Sequence, residues 1–219
     1  MGIAYNPRVV TDGLVLALDA GNAKSYPGSG TTWSDLSGNG NNGTLTNGPT
    51  FDSGNLGSLS FDGIDDYVNY GNDSSLDATT GITVSYWMKS SFDTSYSILI
   101  DKRPNYSFWI DGGKNLDYYT TGSTITAASS VSTIPTNEWF NTTVTLSGST
   151  LTWYINYENQ YTTTASLGST TSNSLYIGTV QGFPVFGKGN ISQVSIYNRA
   201  LTASEIQQNY NALRGRFGI

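Results

Sequence analysis

The sequence predicts an all-β fold, a two-sheet antiparallel jelly-roll sandwich followed by one short C-terminal α-helix. Three observations support this prediction. Apolar and polar side chains alternate along most of the chain, turn-forming residues separate the alternating runs, and one segment near the C-terminus departs from the alternation. The chain has 219 residues, which is enough to bury a substantial core within one large β domain.

The clearest alternation lies in the middle of the chain. Every second residue from Ile82 to Met88 is apolar, which is typical of a strand with one buried face. A similar run from Thr142 to Leu146 is followed by Gly148 and a third run from Leu151 to Tyr157, a pattern that predicts a hairpin. Further strand-like runs extend from Leu14 to Leu18, Leu56 to Phe61, Tyr96 to Ile100, Tyr106 to Ile110, Leu175 to Ile177 and Ile191 to Tyr197.

The segment that departs from the alternation predicts a helix over about residues 203–213. Thr202 stands three residues before Glu205, which is the spacing of a capping box at a helix N-terminus. The apolar positions that follow have helical spacing and form one stripe: Ile206, Tyr210 and Leu213. We therefore expect one helix of about three turns laid across the sandwich.

The composition excludes several classes of function. Charged residues make up only 12% of the chain, and the net charge is −6, so ten scattered Lys and Arg form no basic stripe for nucleic acid. No apolar run reaches the roughly 20 residues that span a membrane. The chain has no cysteine and no histidine, which removes disulfides, thiolate metal sites and the usual base of hydrolase triads. The first residues show no signal peptide, so we expect synthesis in a cytoplasm without ordinary export.

An ordered set of segments gives the chain a family resemblance. These segments run from Gly13 to Leu18, Asp35 to Thr44, Leu59 to Val68, Ile82 to Trp87, Asn137 to Trp139 and Val194 to Leu201. Together they resemble a laminin-G-like domain of the concanavalin A-like lectin/glucanase superfamily, of the kind found in marine phage structural proteins. The resemblance implies a concanavalin A-like jelly roll whose relatives bind glycans, bind proteins or act as spacers. We expect an extension at 1–12, the domain at 13–213 and a tail at 214–219.

Three aspartates lie close together in the sequence, and they allow two interpretations. Asp62, Asp65 and Asp66 offer hard oxygen ligands of the kind that calcium prefers, and related domains often hold a structural calcium. Alternatively, their carboxylates accept backbone N–H groups and shape a solvated turn. Ser192 and Gln193 stand where the family often has Asp-Glu, which counts against the metal. We therefore favour the turn and expect no required cofactor, with calcium as the alternative.

The glutamates argue against glycoside hydrolysis. A retaining glycosidase needs two carboxylates about 5 Å apart, which on a strand means acidic residues facing the same cleft. The chain has three glutamates, Glu138, Glu158 and Glu205, and none has an acidic partner at that spacing on a predicted strand. We therefore predict that the protein is not an enzyme and assign no catalytic residue.

The tyrosines also allow two interpretations. Sugar-binding proteins stack a sugar ring on an exposed aromatic side chain and fix its hydroxyl groups with neighbouring polar residues. Tyrosine is also a normal core or cross-strand residue in such sheets, and we favour that interpretation. The candidates for sugar contact are Tyr118, Tyr119, Tyr157 and Tyr161, beside Asp117 or Asn159.

Both ends of the chain carry apolar and basic residues that are candidates for partner contacts. These residues are Ile3, Tyr5, Val9, Val10, Arg214, Arg216 and Phe217. One interpretation is that the ends pack on their own sandwich, and the other is that they dock on neighbouring subunits. Short apolar segments and arginines suit the second interpretation because they offer buried area and bidentate hydrogen bonds to carboxylates.

From the resemblance we expect a non-enzymatic phage virion protein, a head-decoration or tail or fibre component at the particle surface. Its partners would be other virion proteins and copies of itself, with a cell-surface glycan as a further partner, and neither nucleic acid nor membrane. The alternative is a carbohydrate-binding, lectin-like adhesion protein, and a glycoside hydrolase is third.

Overall fold

The computed structural model of the chain describes residues 7–93, 96–120, 123–128, 131 and 133–219; for residues 98, 99 and 123–128 it describes only the backbone. The predicted fold class is confirmed: two large antiparallel sheets pack face to face, and one short helix lies near the C-terminus. Within the described residues, no helix is long and apolar enough to cross a membrane.

In chain order, the strands and the helix of the described residues are β1 (Leu14–Asp19), β2 (Thr32–Trp33), β3 (Gly43–Thr46), β4 (Thr50–Asp52), β5 (Ser58–Asp62), β6 (Tyr67–Asn69), β7 (Gly81–Lys89), β8 (Tyr96–Lys102), β9 (Tyr106–Asp111), β10 (Leu116–Thr120), β11 (Ser123–Ala128), β12 (Phe140–Ser147), β13 (Thr150–Ile155), β14 (Glu158–Thr164), β15 (Tyr176–Ile177), β16 (Thr179–Val180), β17 (Phe183–Phe186), β18 (Lys188–Tyr197) and α1 (Ala203–Leu213). Short 3-10 turns occupy Gly54–Leu56, Ser74–Leu76 and Arg214–Phe217.

The first sheet has the strand order β14-β13-β12-β7-β18-β5-β4, with β1 also paired to β18. Strand β18 is therefore central: β7 pairs along one side of it, and β5 and β1 share the other side. The second sheet has the order β11-β10-β9-β8-β15-β6-β3-β2. A small separate hairpin, β16 with β17, follows β15 directly.

The core lies between the two sheets, where alternate residues of each strand meet. In β7 the predicted alternation is confirmed, because Ile82, Val84, Tyr86 and Met88 all join the main core cluster. The indole of Trp153 is fully buried and donates to the hydroxyl of Thr142 at 2.7 Å. This hydrogen bond satisfies the polar end of a large aromatic side chain, as is usual for a buried indole.

Helix α1 begins with the predicted capping box. The backbone N–H of Glu205 donates to the Thr202 hydroxyl at 3.3 Å, and the Glu205 carboxylate accepts from the Thr202 N–H at 2.8 Å. Arg199 forms a two-pronged ion pair with the same carboxylate. These bonds from Arg199 and Thr202 hold the pKa of Glu205 at about 2.

The helix packs on the outer face of the first sheet through aromatic contacts. Trp87 of β7 points away from the core and stacks on Tyr210 of α1, with ring centroids 5.5 Å apart. Phe217 stacks on the same indole at 4.2 Å, and Trp139 joins the cluster. Helix and C-terminal turn together cover the middle of this sheet.

The structure differs from the prediction at a few strand ends. Strand β5 begins at Ser58, because Leu56 lies in a 3-10 turn with φ of 65° and is 70% exposed. Tyr157 leaves the predicted strand as well, since its φ of 65° places it in the turn between β13 and β14. Glu158, the next residue, is the first residue of β14.

Candidate functional site

The acidic turn, defined as Asp62, Asp65 and Asp66, joins β5 to β6. The Asp62 carboxylate accepts the backbone N–H groups of Ile64 at 2.8 Å and Asp65 at 3.4 Å, and the Asp66 carboxylate accepts that of Asp62 at 3.1 Å. Gly63 sits between them with φ of 80°, where a residue with a Cβ is strained. These are the hydrogen bonds expected of carboxylates that shape a turn.

The same carboxylates are also close enough to offer ligands to one cation. One oxygen from each lies within 4.8 Å of the others. Asp66 is buried, and this burial raises its pKa, with smaller contributions from Asp62 and Asp65 and an opposing one from the Asp62 N–H. Calcium takes six to eight oxygen ligands, so the three carboxylates would need carbonyl groups or water to complete the set. The residues fit a calcium ion in part, and the turn is explained without one.

We predict that a chelator leaves the melting temperature of the protein unchanged within about 1 °C. The carboxylates of the acidic turn already bond to backbone N–H groups, so folding needs no cation there. A site filled at 100 times its Kd would add about 2.7 kcal/mol, and removing the ion would then lower the melting temperature by several degrees. Thermal denaturation with EDTA, compared with added CaCl2, decides between the two interpretations.

The structure separates the tyrosines that the sequence offered for sugar contact. Tyr118 is a core residue, because its ring is fully buried and its hydroxyl donates to the carbonyl of Ser166. Tyr157 packs against Tyr210 of the helix. Tyr161 is 43% exposed on the edge strand β14. Asn159 lies on the same strand, and its side-chain amide donates to the hydroxyl of Thr162.

Tyr119 and Asp117 lie elsewhere, on the outer face of the second sheet. Tyr119 is half-buried on β10, and the guanidinium of Arg103 covers its ring at 4.5 Å. Asp117 is buried on the same strand, opposite Trp109 of β9. The six sugar-contact candidates therefore do not form one site.

A different set of aromatic residues forms a groove on this outer face. The β16–β17 hairpin folds beside β15 and β6, and between them lies a groove of about 300 Å³. We call it the aromatic groove; its lining includes Tyr67, Tyr176, Phe183, Pro184 and Phe186 with the polar residues Thr179 and Gln181. The rings of Tyr67 and Tyr176 are 5.9 Å apart and tilted by 59°.

Phe183 is the most exposed ring of the aromatic groove. It follows Gly182, whose φ of 76° turns the hairpin, and 61% of its surface remains accessible. A large apolar side chain held at the tip of a tight turn buries little within the domain. Together with the other rings of the groove, it leaves an apolar patch on this face of the domain.

The hairpin is held over the second sheet by a cluster of its own. Val180 and Val185 pack on Trp109, with Tyr96 and Tyr119 beside it. Gly178, which precedes the hairpin, leaves no room for a side chain, because a Cβ would lie 2.9 Å from the Asp66 carbonyl oxygen. The aromatic groove and the acidic turn are thus neighbours.

A polar row crosses the same face of the sheet. Each of four neighbouring strands, β15, β8, β9 and β10, contributes one residue whose neighbours along the strand face the core. These four residues pair with one another from strand to strand and lie on the outer face: Tyr176, Asp101, Ser107 and Tyr119. Arg103 donates from Nε to the Asp101 carboxylate at 2.6 Å. Ser107 is fully buried, and its hydroxyl has no hydrogen-bond partner within the part of the chain that the structure describes.

The three glutamates lie on three different elements of the fold. Glu138 is exposed in the turn before β12, Glu158 opens the edge strand β14, and Glu205 is held by Arg199 in the helix cap. None of them lines the aromatic groove.

Two of the three C-terminal candidates for partner contact, Arg216 and Phe217, make side-chain contacts within the chain. Arg216 bonds to Asp19, Gly57 and Ser192, whereas Arg214 is exposed. Phe217 is buried in the aromatic cluster on the first sheet. These contacts are those of an end packed on its own sandwich, and docking on a partner stays a prediction.

The N-terminal candidates are only partly within the described structure. Ile3 and Tyr5 lie outside the described residues. Val10 packs beside Leu201 and Ile206, its N–H donates to the Asn209 side chain at 2.7 Å, and its carbonyl accepts from the Tyr197 hydroxyl at 3.0 Å. Val9 is half-buried next to it.

The residues of the aromatic groove were not among the candidates that the sequence patterns indicated. One available signal was the alternation of Leu175, Tyr176 and Ile177, which puts Tyr176 on the face opposite the core. Another was Gly182-Phe183-Pro184, where a large apolar residue stands between two turn-forming ones.

Comparison with known proteins places this geometry in a family. A family model described as the concanavalin A-like lectin/glucanases superfamily matches residues 62–207, more than half of the chain. No curated protein sequence matches the chain.

Solved structures with the same fold share little sequence identity with the chain. Domain 4 of AbnA, a GH43 extracellular arabinanase from Geobacillus stearothermophilus solved with arabinotriose, is 21% identical with a TM-score of 0.69, over 90% of this chain and 98% of that one. The binding domain of Paraclostridial Mosquitocidal Protein 1 is 20% identical with a TM-score of 0.71, over 92% of this chain and 52% of that one.

A third similar structure is the ligand binding domain of botulinum neurotoxin serotype D, solved with N-acetylneuraminic acid. It is 17% identical with a TM-score of 0.65, over 92% of this chain and 51% of that one. The chain thus spans about half the length of the two toxin domains. On the family match and the confirmed jelly roll, the chain belongs to the concanavalin A-like lectin/glucanases superfamily.

Proposed function

We propose that the protein is a non-catalytic carbohydrate-binding protein and that its ligand contacts the aromatic groove. The observation that carries this proposal is the exposed ring of Phe183, held on a tight hairpin beside Tyr67 and Tyr176. Sugar rings present apolar C–H faces that stack on aromatic side chains, while their hydroxyl groups need nearby polar partners. Thr179 and Gln181 supply such partners in the same groove.

The size of the groove agrees with a small glycan. Ligand pockets range from about 300 to 1,000 Å³, and the aromatic groove, at about 300 Å³, lies at the lower end of that range. A site of that volume holds about one or two sugar rings, with the rest of an oligosaccharide left in solvent.

The similar structures support the same class of ligand. One was solved with arabinotriose and another with N-acetylneuraminic acid. The positions of the glutamates support a binding function without hydrolysis, because none of them lines the groove and Glu205 is held by the helix cap. A glycoside hydrolase is therefore the weaker alternative.

The test is glycan-array screening of the protein, followed by calorimetry with the best ligand. We expect Phe183→Ala to weaken binding roughly 30-fold, because burying an aromatic ring on a ligand contributes about 2 kcal/mol. Tyr176→Ala is expected to weaken binding to a similar extent.

Tyr161→Ala is the matched control, since Tyr161 is an exposed aromatic residue on β14 of the first sheet. Its affinity is expected to equal that of the unchanged protein. Loss of binding in Tyr161→Ala with full binding in Phe183→Ala would place the sugar on β14 and contradict the proposed groove.

A role on a phage particle, as a head-decoration or tail or fibre component, stays the prediction of the sequence resemblance. A glycan-binding groove would give such a component an adhesion function at the particle surface. Mass spectrometry and cryo-microscopy of purified particles would test for the protein, its virion partners and its copies of itself.

A further inference from the structure

Arg103 is held in place beside the aromatic groove from several directions. Its Nε donates to Asp101 at 2.6 Å, and its guanidinium carbon lies 4.5 Å from the ring centroid of Tyr119 and 5.6 Å from that of Phe183. Its carbonyl accepts from the Asn173 side chain at 2.9 Å. The two ring contacts involve the guanidinium plane and the hydrogen bond to Asp101 involves Nε. The two remaining nitrogens, Nη1 and Nη2, form the outer edge of the guanidinium.

That outer edge has no acceptor within the described part of the chain. The Nε bond to Asp101 accounts for the side-chain hydrogen bonding of Arg103, and 21% of the side chain is exposed. A guanidinium presents Nη1 and Nη2 as two parallel donors, which suit two neighbouring oxygen atoms. Phe183 both contacts Arg103 and lines the aromatic groove, so a sugar stacked on this ring lies next to the two donors.

The charges around the guanidinium do not favour an anionic ligand. Asp101 is buried and compensates the positive charge of Arg103, and its second oxygen faces the backbone N–H of Gln181 at 3.4 Å. Lys102, the next residue, is buried and paired with Asp77. The acidic turn adjoins the groove at Gly178, and the net charge of the whole chain is −6.

Resting on the proposed sugar-binding function, we infer that Arg103 determines the specificity of the groove. The two donors select a neutral sugar with adjacent hydroxyl groups over a uronic or sialic acid. Hydroxyl oxygens accept from Nη1 and Nη2 without bringing a negative charge toward Asp101 and the acidic turn. A carboxylate would accept from the same two donors but would meet this surrounding negative charge.

The experiment is calorimetry with two neutral probes, arabinotriose and lactose, and two acidic probes, trigalacturonate and sialyllactose. We expect the unchanged protein to bind at least one neutral probe at least tenfold more tightly than either acidic probe. Its affinity for the neutral probe is expected to stay the same between low and high salt, because screening acts only on charged ligands.

Three variants then assign the selection to Arg103. Arg103→Gln keeps donors but shortens their reach, and we expect it to weaken neutral-sugar binding about tenfold. Asp101→Asn removes a negative charge, so the affinity for the acidic probes is expected to rise. Lys24→Gln, an exposed cation on the loop after β1, is the matched control and is expected to bind as the unchanged protein does. The melting temperature of each variant shows that it is folded.

Two results would overturn the inference and leave the proposed function intact. The first is sugar binding that Phe183→Ala removes and Arg103→Gln leaves unchanged. The second is tighter binding of an acidic probe, lost as salt is raised. If neither these probes nor a glycan array gives binding to the unchanged protein, the proposed function itself fails, and the inference fails with it.

Discussion

Replacing Phe217 with alanine is expected to lower the free energy of unfolding by about 3 kcal/mol. The ring is buried against Trp87 at a centroid separation of 4.2 Å, nearly parallel, and it also contacts Trp139 at 5.1 Å. Removing a buried phenylalanine ring costs about 3–5 kcal/mol, because apolar contacts are lost and a cavity remains. We take the lower value because the cluster lies on the outer face of the sheet. For a chain of this size, the melting temperature should fall by roughly 6–12 °C.

Replacing Arg216 with alanine is also expected to lower the free energy of unfolding. Its guanidinium donates to the Asp19 carboxylate at 2.6 Å, to the Gly57 carbonyl at 2.9 Å and to the Ser192 hydroxyl at 2.6 Å. Ser192 is fully buried and in turn donates to the Gly57 carbonyl. Arg216→Ala would remove this donor from the Asp19 carboxylate and the Ser192 hydroxyl, and would leave the Gly57 carbonyl with the Ser192 hydroxyl alone.

The same end of the chain supplies the controls. Arg214 has the same charge as Arg216 but is exposed, and Ile219 is a partly exposed apolar residue two positions after Phe217. Arg214→Ala and Ile219→Ala are expected to change the unfolding free energy by less than about 0.5 kcal/mol. Urea denaturation of the four variants provides the measurement. Equal stability of Phe217→Ala and Ile219→Ala would show that the terminal turn does not anchor the helix.

Replacing Lys102 with methionine is expected to cost about 3–5 kcal/mol. The ammonium group is fully buried, 3.2 Å from the Asp77 carboxylate, and it donates to the Asn173 carbonyl at 2.8 Å. Breaking a buried ion pair by removing one partner leaves the other charge uncompensated, which is the costly outcome. The Lys102 ammonium thus joins the end of β8 to Asp77 before β7 and to Asn173 before β15.

A double substitution separates two contributions to the stability: the destabilisation caused by leaving Asp77 unpaired, and the net contribution of the ion pair. Lys102→Met with Asp77→Leu removes both charges, and we expect it to recover much of the stability lost in Lys102→Met. The matched control is Lys188→Met, which breaks the exposed ion pair with Asp93. That substitution is expected to change the stability by less than about 1 kcal/mol. Equal losses for Lys102→Met and Lys188→Met would contradict the prediction.

The regular part of the fold could be predicted from the sequence because it depends on local patterns. Alternation in Ile82 to Met88 identified β7, and the Thr202 and Glu205 spacing identified the start of α1. Short polar strands were not predicted, since β14 carries Glu, Asn, Gln and Thr and gains its pairing from β13. Leu56 shows the opposite error: it continues an apolar run, but Arg216, from the far end of the chain, donates to the carbonyls of Asn55 and Gly57 on either side of it.

Less of the candidate site than of the fold could be predicted from the sequence, because most of its residues are far apart in the chain. The three aspartates of the acidic turn are close in the sequence, so their proximity in the structure could be predicted. The aromatic groove, in contrast, joins β6, β15 and the β16–β17 hairpin, which are separated by up to about 120 positions in the chain. Tyr67 and Tyr176 each stand in short runs with no special composition. Only the sheet order, which places β15 between β6 and β8, brings them together.

The central position of β18 has a consequence for biosynthesis. This strand is the pairing partner of β1, β5 and β7, yet it follows all three of them in the chain. At about 5–20 residues per second, roughly 10–40 s separate the synthesis of β1 from that of β18. Until then the three earlier strands have unpaired edges, which are the sites where nascent chains aggregate. The first sheet can therefore be completed only after β18 has been translated, because β18 lies between β7 and β5.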